Sequence, residues 1–176
     1  MLLLLETNAI EPISLTEVKS HLRLDTDDED DLLNGLIVAA TNLVEEYLGK
    51  TLIKKTWRIE EPGDNVNGLQ EVVLPRGPLL KVLMVQRVMP NETYTNIRFV
   101  VKNHFSRPIV VFKSELPVSI VYEAGYGYYP KDVPAPIRHA LFALVAHLYE
   151  NRNGQLKMSE LVKTLLIPYK HVQVYV

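Results

Sequence analysis

Histidine and glutamate side chains at helical spacing are the residues of this chain that come nearest to a metal or catalytic site. His147 and Glu150 are three positions apart, the spacing at which such residues bind metal in di-metal helical bundles. A bundle of that kind needs a second pair and further inward carboxylates, and the sequence shows neither. His139 precedes His147 by eight positions, which separates their rings by about 80° and two turns. We therefore predict no metal site, and interpret the histidines as satisfied or surface side chains.

An acidic run from Asp25 to Asp31 is the second group with possible chemistry. An EF-hand loop beginning at Asp25 requires Gly at its sixth position and Glu at its twelfth, where this chain has Asp30 and Leu36. Acidic groups stabilise the positive end of a helix dipole, so the run predicts the start of a helix. The alternative is a surface that faces a channel and repels DNA, formed by Asp27, Asp28, Glu29, Asp30 and Asp31.

The third group is the glycine- and tyrosine-rich stretch from Gly125 to Pro130. It is not a dinucleotide-binding motif, because Pro130 occupies the position of the third glycine. A stacking platform for nucleic acid would interleave aromatic residues with Arg or Lys, and only Lys131 is near. Three interpretations stay open: loop packing, base stacking, or an intersubunit contact through Tyr126, Tyr128 and Tyr129. P-loop, Gly-x-Ser-x-Gly and His-Glu-x-x-His motifs are missing, so we predict that the chain is not an enzyme and has no catalytic residues.

Composition narrows the class of protein further. The 176 residues fit one domain, so we expect residues 1–176 to form a single unit. The lack of Cys excludes disulfides, Cys-ligated zinc and a thiol nucleophile. A net charge of −2 argues against a protein that coats DNA. No apolar stretch approaches the roughly 20 residues that span a bilayer, so we expect no membrane partner, and no motif indicates a cofactor.

Hydrophobic spacing predicts helices at both ends of the chain. Ser14 and Glu17 form a capping-box pattern at the start of a first helix. A second, amphipathic helix follows the acidic run and ends at Gly49. A third helix is expected after Pro134, with a buried stripe at Ile137, Ala140, Leu141, Leu144, Val145 and Leu148. A fourth, short helix is expected over residues 159–166.

Between these helices, residues 51–123 follow the period of two that is typical of strands. The predicted fold class is therefore α+β: an N-terminal antiparallel helix pair, a central small antiparallel β-sheet, and C-terminal helices packed on the same core. Residues 165–176 are apolar for a chain end, which is usually polar. They either add a strand to the chain's own sheet or dock on a partner, with the candidate residues Leu165, Leu166, Tyr169, Lys170, Val172 and Val174.

The order of several short motifs resembles one protein family along most of the chain. These motifs are residues 14–23, 36–52, 74–85, 122–127, 133–141, 145–152 and 165–169. Together they are similar to the head–tail connector, or adaptor, proteins of tailed bacteriophages and prophages. The first dozen residues, residues 91–106 and the tail after Lys170 depart from that pattern.

The resemblance implies a structural virion protein rather than a catalyst. It implies a closed ring of about twelve copies with head-to-tail contacts, located at the head–tail junction and assembled in the bacterial cytoplasm. One end of the ring would meet the portal protein and the other a stopper or tail-completion protein, while double-stranded DNA passes through without sequence-specific binding. The C-terminal segment would engage the portal. The alternatives are a head-closure or tail-completion protein, a DNA-binding module, and a metal-dependent hydrolase centred on His147 and Glu150.

Overall fold

The computed structural model describes residues 1–7, 9–63, 68–104, 107–151 and 158–170. Its contacts divide the chain into two compact units. The sheet unit consists of Met1–Asn8 and Lys54–Tyr126, and the helical unit of Ala9–Ile53 and Gly127–Val176. The predicted α+β class is confirmed, whereas the expectation of a single domain stays a prediction.

In the described part of the helical unit there are four α-helices, from both ends of the sequence. They are α1 (Leu15–Leu22), α2 (Asp30–Leu48), α3 (Ala135–Glu150) and α4 (Glu160–Leu166). The capping box at α1 forms as predicted: Ser14 Oγ accepts a bond from the Glu17 amide at 3.3 Å, and a Glu17 carboxylate oxygen accepts one from the Ser14 amide at 2.9 Å. Gly49 ends α2 with a φ of 64°, a left-handed conformation that glycine adopts without steric cost.

Helix α3 is the centre of the helical unit. Its buried residues are Ile137, Ala140, Leu141, Leu144, Val145 and Leu148, the same stripe that the sequence predicted. Their spacing of three and four places them on one face of the helix. That face is covered because α2 and α4 both pack against α3, and α1 contacts it as well.

Among its described residues, the sheet unit has eight strands in two antiparallel sheets. The strands are β1 (Leu2–Thr7), β2 (Lys55–Glu61), β3 (Gln70–Val73), β4 (Leu79–Val88), β5 (Tyr94–Asn96), β6 (Phe99–His104), β7 (Arg107–Phe112) and β8 (Val118–Ala124). One sheet has the order β1-β2-β8-β4-β5 and the other β3-β7-β6. The sequence predicted one small sheet, and β1 and β5 were not anticipated.

One apolar cluster joins both sheets of this unit. Ile120 on the central strand β8 pairs with Ile59 on β2 and Val85 on β4, and all three are buried with Val110 and Phe112 of β7. Two sheets that share an apolar face bury more side-chain surface than one sheet exposed to water on that side. The residues predicted to form one small sheet therefore fold into two sheets.

Candidate interaction surfaces

The predicted intersubunit tyrosines lie on either side of the position in the sequence where the sheet unit ends and the helical unit resumes. Tyr128 and Tyr129 of the helical unit expose 48% and 57% of their surface, whereas Tyr126 of the sheet unit is half-buried. The Tyr129 amide donates to a carboxylate oxygen of Asp132 at 2.9 Å, which fixes the turn before α3. The turn thus presents two aromatic side chains to solvent, as an interface residue requires, but their role as intersubunit contacts stays a prediction.

A surface cleft of about 430 Å³ adjoins this turn in the helical unit. It is lined by Glu17, Tyr129, Pro130, Lys131 and Arg138. The Lys131 ammonium lies 5.6 Å from the centroid of the Tyr129 ring, within the range of a cation–π contact. The cleft therefore combines an exposed cation with an exposed aromatic face, and its lining contains one more positive than negative side chain.

The Arg138–Glu17 ion pair forms one wall of this cleft. The Arg138 guanidinium binds the Glu17 carboxylate, and its Nε donates to the Pro12 carbonyl oxygen at 3.1 Å. Burial raises the pKa of Glu17, but hydrogen bonds from the Ser14 backbone and from Arg138 outweigh burial, so the pKa is lowered. An ionised Glu17 is suited to an ion pair that links α1 to α3, and not to proton transfer.

Three of the five candidate channel carboxylates have partners within the helical unit. Asp27 and Asp30 both bind Lys19, with a separation of 2.8 Å between Asp30 Oδ1 and the ammonium. Hydrogen bonding to Lys19 lowers the pKa of Asp27, and hydrogen bonding to the two carboxylates raises the pKa of Lys19. The Tyr149 hydroxyl donates to the Glu29 carboxylate. The acidic run therefore also links α1, α2 and α3, and its role as a channel wall stays a prediction.

The two remaining carboxylates, Asp28 and Asp31, are exposed. They sit in the same run, at the start of α2. Their charge is therefore available at the surface of the helical unit.

The candidate docking residues of the C-terminal segment differ in exposure. Leu166 is fully buried with Val162 on the inner face of α4, so its side chain belongs to the core and not to an exposed docking surface. The exposed apolar residues are Leu161 at 64% and Ile167 at 60%, and neither was singled out from the sequence. Helical periodicity explains the difference, since one face of α4 packs on α3 and the other remains open.

The end of the described chain also contacts α2. The Lys170 ammonium lies 4.3 Å from the centroid of the Tyr47 ring, and Leu165 and Tyr169 are half-buried. Val172 and Val174 lie outside the described residues. Of the six predicted docking residues, only Lys170 is exposed in the part of the chain that the structure describes.

His139, His147 and Glu150 belong to no group of metal-ligating side chains in the described part of the chain. His139 and Glu150 are exposed, and the His147 ring lies 3.3 Å from the Asn151 side-chain amide. Within the described ranges, no group of three or more His, Cys, Asp or Glu residues could hold a metal ion. Among the same residues, no helix has the length and apolar character needed to cross a bilayer.

Two charged residues that organise these surfaces, Lys19 and Arg138, were not identified from the sequence. Lys19 reaches carboxylates 8 and 11 positions away, and Arg138 pairs with a residue 121 positions away. No local spacing marks such pairs, because they form only when α1 packs beside α2 and α3.

Comparison with known proteins relates the chain to phage connectors. Residues 12–86 match the model of the phage gp6-like head-tail connector protein family. A search of curated proteins gave no match. The resemblance to the head–tail connector family that the motifs indicated is thereby confirmed.

Chains in solved gene transfer agent particles have the same fold. A chain in the neck of an empty particle computed with C6 symmetry is 24% identical, with a TM-score of 0.79 over 99% of this chain and 97% of that one. A chain in the virion of a native particle is 25% identical, with a TM-score of 0.78 over 99% and 97%. A chain in the neck of a native particle computed with C12 symmetry is 23% identical, with a TM-score of 0.76 over 98% and 97%.

Proposed function

We propose that this chain, a relative of the phage gp6-like head-tail connector proteins, is a structural protein in the neck of a phage-like particle. The observation that carries the proposal is the coincidence of two matches. The connector family model covers residues 12–86, and the fold of neck chains extends over 98% or more of the sequence. A neck protein works by joining two assemblies, so its function resides in its surfaces.

The proposed working form is a ring of about twelve copies. The related neck structures were computed with C6 and C12 symmetry, which supports cyclic assembly. A closed ring of identical subunits requires head-to-tail contacts, in which two different surfaces of each copy meet. The helical unit offers such surfaces in the Tyr129 cleft and in the acidic run.

In the proposed assembly, one end of the ring binds the portal protein and the other a stopper or tail-completion protein, while double-stranded DNA passes through the centre. The C-terminal segment is the proposed portal anchor. Leu161 and Ile167 support this assignment, because they expose apolar surface next to the chain end, where burial against a partner is favourable.

We also propose that the chain has no catalytic role. The histidines and carboxylates that could do chemistry are dispersed, and the paired ones serve as structural links between helices. Particle assembly is the process that requires such a protein, so assembly provides the assay.

The test is complementation of particles that lack this chain. We expect lysates without it to accumulate filled heads and free tails, and the purified full-length protein to restore joined particles, counted by electron microscopy. Ile167→Asp should reduce joining, because it places a charge in the proposed portal contact. Leu69→Asp is the matched control, because Leu69 is 74% exposed and lies in the sheet unit.

The outcomes separate the parts of the proposal. Joined particles in the absence of the chain would refute the connector function. Equal activity of the two aspartate variants would refute the C-terminal portal anchor and leave the connector function standing.

A further inference from the structure

Charges of opposite sign lie towards opposite ends of α3 in the helical unit. Lys131 precedes the first residue of α3, and Arg138 follows in its first turns. At the other end, Tyr149 binds Glu29, which places the acidic run near the C-terminal end of the helix. With 16 residues, α3 separates the two regions by about 20 Å.

The cationic end consists of Lys131, Arg138 and the exposed Tyr129 ring. Arg138 is balanced by Glu17, so Lys131 is the excess charge in the cleft lining. Asp132, the next residue, does not line the cleft, and its carboxylate is hydrogen-bonded to the backbone of the turn. One Asp132 oxygen accepts the Tyr129 amide at 2.9 Å, and the same oxygen lies 2.3 Å from the position of a Cβ added to Gly127. The cleft therefore offers an ammonium group beside an aromatic face to an incoming acidic group.

The acidic end consists of Asp28 and Asp31. Their neighbours Asp27 and Asp30 share Lys19. Both Asp28 and Asp31 are exposed. This end therefore keeps a net negative charge after its internal ion pairs have formed.

We propose that the cationic end of one copy binds the acidic end of the next, with Lys131 facing Asp28 and Asp31 across the ring contact. The partner is a second copy of this chain, because each copy carries both complementary surfaces and cannot join its own across about 20 Å. Two different surfaces on one subunit generate a head-to-tail contact, and such contacts close into rings. Opposite charges fix the register of the contact and accelerate association. This inference deepens the proposed ring and rests on it.

Zero-length carbodiimide cross-linking of the full-length protein provides the first test. The reagent joins an ammonium group to a carboxylate only when the two are in contact. In a mixture of ¹⁵N-labelled and unlabelled protein, we expect Lys131 cross-linked to Asp28 or Asp31 in peptides of mixed isotope composition. Cross-links between copies that exclude all three residues would overturn the proposal, as would the lack of any cross-link between copies.

Charge exchange provides the second test, read out as the self-association constant in analytical ultracentrifugation. Lys131→Glu alone and Asp28→Lys/Asp31→Lys alone should each weaken association about tenfold at roughly 50 mM salt, and raising the salt should reduce the difference. An equimolar mixture of the two variants should associate like the wild type, since every contact then pairs opposite charges again. Lys113→Glu, at an exposed position of the sheet unit, is the matched control and should leave the self-association constant unchanged.

Recovery in the mixture excludes misfolding as the cause of a weakened variant. A mixture no better than its components, or a Lys113→Glu effect equal to that of Lys131→Glu, would overturn the proposed contact. Complementation of particles is independent of these measurements. Joined particles without the chain would refute the neck function, whereas a failed charge exchange would refute only this contact.

Discussion

Removing the carboxylate of Glu45 should destabilise the helical unit strongly. Glu45 is only 6% exposed, and one of its carboxylate oxygens accepts a hydrogen bond from the Leu52 amide at 2.8 Å. Leu52 is fully buried, so water cannot replace the lost acceptor. An unsatisfied buried amide costs about 1–3 kcal/mol, and the lost bond accepted by a carboxylate belongs to the stronger class.

We therefore expect Glu45→Ala to lower the free energy of unfolding by about 2–3 kcal/mol and the melting temperature by about 5–10 °C. Urea denaturation followed by circular dichroism measures the first value, and thermal unfolding the second. Glu45→Gln retains an acceptor oxygen and should recover most of the loss. Asn42→Ala, at an exposed position of the same helix, controls for the helix. If Glu45→Ala were as stable as Asn42→Ala, the reasoning from the buried amide would be wrong.

Three further substitutions test local structure inside the helical unit and inside the sheet unit. Thr41→Val should raise the free energy of unfolding by about 1 kcal/mol, because Thr41 Oγ1 is buried and has no hydrogen-bond partner among the described residues; a loss of stability in urea denaturation would contradict this. Gly49→Ala should lower the free energy of unfolding by about 1–2 kcal/mol, because its φ is 64°, and an unchanged urea midpoint would contradict the strain. Burial raises the pKa of Tyr122, whose hydroxyl donates to the Pro75 carbonyl oxygen. The stability due to the neutral Tyr122 hydroxyl is therefore complete below the unfolded pKa of about 10, and it falls by up to about 1.4 kcal/mol per pH unit above that pKa. In denaturation measured at rising pH, Tyr122→Phe should remove this part of the alkaline loss of stability. Identical pH profiles for the variant and the wild type would refute the effect of the buried hydroxyl.

Local patterns predicted the helices because helix signals are local. Ser14 and Glu17 are three positions apart, and the buried stripe of α3 repeats every three or four residues. Glycine is favoured at the end of α2 because the left-handed conformation there suits it, and this preference depends on no distant residue. Such features can be derived from a short window of sequence.

The strands at the sheet edges were missed because their stability comes from distant residues. Strand β1 is a run of leucines without alternation, and it becomes a strand by pairing with β2, so that Leu2 faces Ile59. Strand β5 has only three residues and pairs with the end of β4. Neither segment carries the period-two pattern that identifies a half-buried strand.

The surfaces were only partly predictable for the same reason. Tyr128 and Tyr129 are exposed, as an interface requires, but the cation beside them and the Arg138–Glu17 pair depend on helix packing. Leu166 appeared suited to docking because it lies in an apolar chain end, yet the inward face of α4 buries it and leaves Leu161 and Ile167 outside. Composition identified the segment, whereas the phase of the helix decided which residues face a partner.

Localisation of the chain in purified particles tests the central claim most directly. The full-length protein, tagged at the exposed residue Leu69 and labelled with gold, should give one focus per particle at the junction of head and tail. Label spread over the head shell or along the tail, or particles that carry none, would contradict a neck protein.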